Sequence, residues 1–171
     1  LVVNGMSSSN RGSAFANSGI VVSINPQDVK EYSKQPALSL MKFQQECEQK
    51  IYIHNQTSPA QRISDFIRNK PSNNISATSY PSGLQACNMN DYLPRIIAEH
   101  LKEGFKVFDR RIKGFISNQA TMIGLESRTS SPVRILRDKD SLQHPQLAML
   151  FPCGEGAGYA GGITSSAIDG V

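Results

Sequence analysis

The segment FPCGEGAGYAGGITSSAIDG, residues 151–170, limits the folds open to this chain more than any other stretch. Five glycines lie between Gly154 and Gly162, after the apolar run Leu147–Phe151 and before a tail of helical character, Gly161–Val171. A strand, a glycine-rich turn and a helix N-terminus form a recurring device for gripping anionic groups. The first helical N–H groups have no partner inside the helix, and the macrodipole adds about half a positive charge there. Gly154, Gly156 and Gly158 remove side chains where a ligand could lie against backbone, although plain packing of a turn uses glycine in the same way. No Gly-Lys-Ser/Thr ending follows, which disfavours a nucleoside triphosphate, and the strand is the last in the chain, so this is not an opening βαβ unit. Glu155, at the strand's C-terminal end, is placed either to accept hydrogen bonds from ligand hydroxyls or to cap the turn.

The rest of the chain must supply the body on which such a turn sits. At 171 residues it suits one compact domain or slightly more, since domains run to roughly 100–200 residues. An apolar share of 39% with 19% charged residues excludes wholesale disorder, and a net charge of +4 permits a polyanionic partner without demanding one. Cys47, Cys87 and Cys153 are far apart and form no C-x-x-C pair, so they read as buried, reduced thiols of a cytoplasmic protein. No apolar run approaches the roughly 20 residues a membrane span needs. The chain opens on LVVNGM, which reads as the inside of a strand, and is therefore expected to be a piece of something longer.

Leu1–Asn4 and Ile20–Ile24 read as strands joined by a polar loop. From Leu38 the apolar residues Leu40, Phe43, Cys47 and Ile51 recur at helical spacing. A second helix is expected from Ser58-Pro59-Ala60-Gln61, where Ser58 and Gln61 match a capping box and Pro59 suits a first turn. A third should run from near Asp91 through Leu93, Ile97 and Leu101 to Gly104, and a short fourth from Phe105 to Lys113. Strands are expected at Thr121–Glu126, Val133–Arg137 and Leu147–Phe151. This order gives an α/β protein of α+β character with a largely helical insertion over about 37–114.

The glycine block also carries a resemblance. PCGEGAGYAGGITSSAIDG resembles the C-terminal flavin motif of a family of FAD-dependent dehydrogenases of the two-dinucleotide-binding type, whose substrates are largely undefined. NGM followed by FANSGIVVSINPQD, then SPAQRISDF, SYPSG, LKEGFKVFDRRIKGF and ESRTSSPVRILRD, resemble blocks of that family in the same order, so the likeness covers most of the chain.

The resemblance implies a substrate or cap domain at 1–146 and, at 147–171, the last strand-to-helix element of a discontinuous FAD-binding domain. The N-terminal G-x-G-x-x-G unit that binds the ADP half is absent from this chain. The implied cofactor is FAD in the full-length protein, held weakly or not at all by this piece, which would be inactive alone. The implied cofactor-binding residues are Gly154, Glu155, Gly156, Gly158, Tyr159, Gly161, Gly162 and Ile163. Glu155 would meet the ribityl chain or adjoining phosphate, and Gly161, Gly162 and Ile163 would bring N–H groups to the N1/C2=O edge of the flavin. Tyr159 would pack beside the ring or serve in the core. Hydride would pass between a small-molecule substrate, or NAD(P)H, and flavin N5.

Arg128 and Ser130, in the SRTSSP link, and Asn17 and Ser18, in the first loop, are candidates for substrate contacts. Arg128 suits a bidentate clamp on a carboxylate or phosphate; a surface turn is the competing reading, as simple turn residues are for the other three. His54, His100 and His144 are scattered without carboxylate or thiol neighbours at ligand spacing, so no metal site is expected. Lys106, Arg110, Arg111 and Lys113 make a basic patch with no aromatic platform beside it, which reads as a solvated helix face rather than a nucleic-acid surface. No residue identifies itself as a general acid or base, and the oligomeric state is not legible. The rival to the flavoenzyme is a non-catalytic α/β interaction module whose glycine turn is structural.

Overall fold

The computed structural model describes residues 12–51 and 57–171. The expected strand at Leu1–Asn4, the NGM block and His54 lie outside the described residues. The chain divides into two compact units. One gathers Glu46–Ser127 with the described part of Leu1–Ser23, and the other is made of Ile24–Gln45 and Arg128–Val171. Helices with a small mixed sheet make this an α/β protein.

The first unit is organised by β1 (Ser58–Arg62), the central strand of a three-stranded sheet. It pairs in parallel with β2 (Leu84–Ala86), Ser58 opposite Leu84 and Ala60 opposite Ala86. On its other edge it runs antiparallel to β3 (Thr121–Ile123), with Ala60 opposite Ile123 and Arg62 opposite Thr121. Here the structure corrects the sequence reading, which placed a helix start at Ser58. The side chains that mimic a capping box have distant partners instead. Ser58 Oγ donates to the Tyr80 hydroxyl at 3.0 Å, Gln61 Nε2 donates to the Lys70 carbonyl at 2.7 Å, and Gln61 Oε1 accepts from Met89 N–H at 2.7 Å. Pro59 loses no pairing as an acceptor, since its carbonyl takes the Gly124 N–H at 3.1 Å. The helix starts only at Ile63, as the short α2 (Ile63–Ile67).

α3 (Arg95–Arg111) is one helix where two were expected. It begins after Pro94 rather than at Asp91, because Met89–Asp91 forms a separate 3-10 turn capped by the Asn88 side chain. Gly104 does not end it: a helical glycine costs only about 1 kcal/mol relative to alanine, and Ile97, Ala98, Leu101 and Phe105 bury a continuous face across that position. Phe105 meets Phe66 edge-on at 6.2 Å and Phe115 at 6.1 Å, which joins α2, α3 and the turn after α3 into one core.

In the second unit a 3-10 segment, Pro26–Tyr32, precedes α1 (Ser39–Ile51), whose first residues belong to this unit and whose last belong to the other. The helix expected from Leu38 is present, with Phe43, Cys47 and Ile51 buried and Tyr32 set edge-on to Phe43 at 5.0 Å. The strands expected at Ile20–Ile24, Val133–Arg137 and Leu147–Phe151 do not form, and β3 stops at Ile123 rather than Glu126. A strand exists only through its ladder; Ile135 N–H finds a single partner, the Ala157 carbonyl, and Met149 takes φ +63°, which bends the backbone out of extension. α4 (Ile163–Asp169) closes the chain.

Two of the three thiols are inside. Cys47 is buried and Cys87 half-buried, and burial pushes each up to about 11, whereas Cys153 is exposed.

Candidate functional site

The glycine loop, residues 152–162, is shaped by two tight turns. Gly158 N–H donates to the Glu155 carbonyl at 2.9 Å, and Tyr159 N–H donates to the Gly154 carbonyl at 3.0 Å. Gly154 and Gly158 hold φ of +70° and +83°, the left-handed region in which a β-carbon is strained. Gly158 also lies close to residues 133–134, so its glycine serves the loop's own closure. Gly156 and Gly161 differ: a β-carbon at either would meet no atom within 4 Å. Gly162 is extended at φ −170° and precedes α4, whose start carries no side-chain cap. Ile163, first in that helix, is almost fully exposed. The Glu155 side chain is half-buried and has no hydrogen-bond or ion-pair partner among the described residues.

The loop is fastened by residues outside the set of cofactor-binding candidates. Ser131 Oγ donates to the Gly156 carbonyl at 3.1 Å. Arg134 donates from Nε and Nη2 to the Gly158 carbonyl at 3.0 and 2.7 Å. Arg137 forms a two-pronged pair with Asp169, 2.6 Å and 3.0 Å, while its Nη1 also reaches the Pro152 carbonyl at 2.9 Å. Asp169 Oδ2 accepts, in addition, the Gly154 N–H at 2.8 Å. The Arg137 guanidinium and the Gly154 N–H hold the Asp169 carboxyl below the usual carboxylate range, and Asp169 in turn raises Arg137.

Tyr159 is drawn into this fastening. Its hydroxyl accepts from Arg137 N–H at 3.0 Å, and the guanidinium carbons of Arg134 and Arg137 stand 4.7 and 3.9 Å from its ring centre. Such stacking is the arrangement in which a cation is attracted to a ring face. Arg134 and Arg137 share the short block VRILR, yet nothing local marks their partners, which lie 15 to 32 residues away.

The substrate candidates fall in both units. Arg128 and Ser130 are exposed in the second unit, where it is the neighbouring Ser131 that reaches the glycine loop. Asn17 and Ser18 are exposed in the first unit. His100 Nδ1 lies 2.7 Å from the Ile96 carbonyl, and His144 Nδ1 accepts from Gln146 N–H at 3.1 Å. Among the described residues no group of three or more His, Cys, Asp or Glu could hold a metal, and no helix is long and apolar enough to cross a membrane.

Residues 1–129 match the family model described as "FAD-dependent protein, C-terminal domain-like". An uncharacterized protein of Clostridium beijerinckii is 38% identical over 173 aligned residues, covering 100% of this chain and 32% of that protein. The glycine loop lies beyond the span of the family model but inside the alignment with the relative. The chain thus spans about a third of the length of the curated relative it matches, 32%.

Proposed function

The chain belongs to the FAD-dependent protein, C-terminal domain-like family, and from that premise we propose that it is the C-terminal part of an FAD-dependent oxidoreductase whose glycine loop completes the flavin end of the cofactor site. The observation that carries the reading is the loop's division of labour. Gly154 and Gly158 are consumed by its own turns, while Gly156 and Gly161 border open space, the start of α4 is uncapped, and the Glu155 carboxylate has no partner among the described residues.

That donor and acceptor set fits the flavin end of FAD. Glu155 would accept hydrogen bonds from the ribityl hydroxyls. Gly161, Gly162 and Ile163 would present backbone N–H groups to the N1/C2=O edge, where a partial positive charge favours the reduced, negatively charged form without a formal cation. The bound flavin would supply hydride exchange at N5 with a small-molecule substrate or a nicotinamide donor. Arg128 would clamp a carboxylate or phosphate of that substrate, with Ser130 from the same link as a further hydrogen-bonding group.

The ADP half of FAD needs a G-x-G-x-x-G turn inside a βαβ unit; the one match to that spacing in this sequence, Gly156–Gly161, falls within the glycine loop, and among the described residues no strand flanks it. The 171-residue chain alone would therefore bind FAD weakly and be inactive. The test is the visible spectrum of the purified full-length protein. Flavin absorbance is expected, and its absence after added FAD would refute the reading.

A further inference from the structure

We propose that Arg137 and Asp169 form a latch that sets the conformation of the glycine loop, making Arg137 a positioning residue for flavin binding. The inference rests on the reading above that this loop holds FAD. It goes beyond that reading by locating the control of affinity in two residues that point at no ligand.

α4 has seven residues and none of them is buried, while Ile163 and Ile168 stand 93% and 72% exposed. A helix that short does not persist through its own hydrogen bonds, and apolar burial does not hold it here. What holds it is polar. Asp169, its last residue, takes both prongs of Arg137 and the Gly154 N–H, while Arg137 Nη1 reaches Pro152 and its backbone N–H reaches the Tyr159 hydroxyl. The Arg137 guanidinium and the Asp169 carboxylate thereby join Pro152 and Gly154, where the loop begins, to the end of the helix that follows it, while the Arg137 backbone holds Tyr159.

The pair is also unlike three other ion pairs among the described residues. Lys50–Glu46, Arg95–Glu99 and Lys106–Glu103 are three or four residues apart on single helices and well exposed. Arg137 and Asp169 are 32 residues apart and only 14% and 18% exposed, with both terminal nitrogens of Arg137 and both carboxylate oxygens of Asp169 engaged. Partly shielded, two-pronged pairing is the form in which such a contact gains strength and direction. Lysine could restore the charge but not the planar fork, the contact with Pro152 and the stacking on Tyr159 together.

The test uses the full-length protein with Arg137→Lys and Asp169→Asn, singly and combined. FAD titration should show roughly tenfold to hundredfold weaker binding in each single variant, with the double variant no weaker than the worse single one. At saturating FAD the visible band of the bound flavin should differ from that of the unaltered protein; a contact that only stabilises the fold would leave it unchanged. Hydrogen exchange at the Ser166 and Gly170 amides, measured without FAD, should accelerate in both variants. Unaltered affinity and band shape, or unaltered exchange, would overturn the latch. If the unaltered protein takes up no FAD, the functional reading fails, and the exchange rates alone then decide whether the latch exists.

Discussion

Gly158 packs its α-carbon against the Val133 carbonyl so closely that a β-carbon there would lie 2.7 Å from that oxygen. The same residue has φ +83°. The contact closes the glycine loop onto the segment that carries Arg134 and Arg137, so the loop's shape depends on a missing side chain as much as on the bonds it makes.

Gly158→Ala combines strained backbone with a clash against backbone, and should destabilise the protein by about 2 kcal/mol or more. Gly161→Ala, which meets nothing within 4 Å, should change stability by no more than about 0.5 kcal/mol. Urea denaturation of the two variants checks the contrast. Equal midpoints would show that the loop tolerates a side chain at Gly158.

The core of the first unit depends on a buried amide. Gln61 is fully buried and holds Met89 N–H and the Lys70 carbonyl. Lys70 is exposed, so its carbonyl can turn to water, whereas Met89 is fully buried. Gln61→Leu should therefore cost about 1–3 kcal/mol, mostly for the orphaned Met89 N–H. Equilibrium unfolding measures it, and a neutral or stabilising result would contradict the role given to the amide.

These two sites show what the sequence reveals and what it conceals. The buried face of α1 was legible because Phe43, Cys47 and Ile51 recur at helical spacing, and that of α3 only through Ile97 and Leu101, because Gly104 reads as an end and sets Phe105 in a separate helix. β1 was misread because Ser58-Pro59-Ala60-Gln61 satisfies a local helix-start pattern, while the partners that decide its fate, Lys70, Tyr80 and Met89, lie 9 to 28 residues away. The glycine loop was legible as chemistry. Its fastening by Arg137 and Asp169 was not, since no period or motif connects residues 32 apart.

The latch should leave a signature in acid. Asp169 has a lowered folded-state pKa, so its contribution to stability is complete above the ordinary carboxylate value of about 3.9 and is lost as pH falls through the lowered value. The stability difference between the unaltered protein and Asp169→Asn should thus be constant from about pH 5 to 8 and shrink below about pH 4. A difference that instead vanished near neutrality would assign the effect to another group.

The central claim is that this loop holds the flavin end of FAD, and Glu155 tests it most directly. In the full-length protein, FAD content per chain and FAD affinity can be compared between the unaltered protein and Glu155→Ala. The Glu155 side chain has no partner among the described residues, so folding should be unaffected while FAD binding weakens by roughly tenfold or more. A folded Glu155→Ala variant with unchanged FAD content and affinity would contradict the claim.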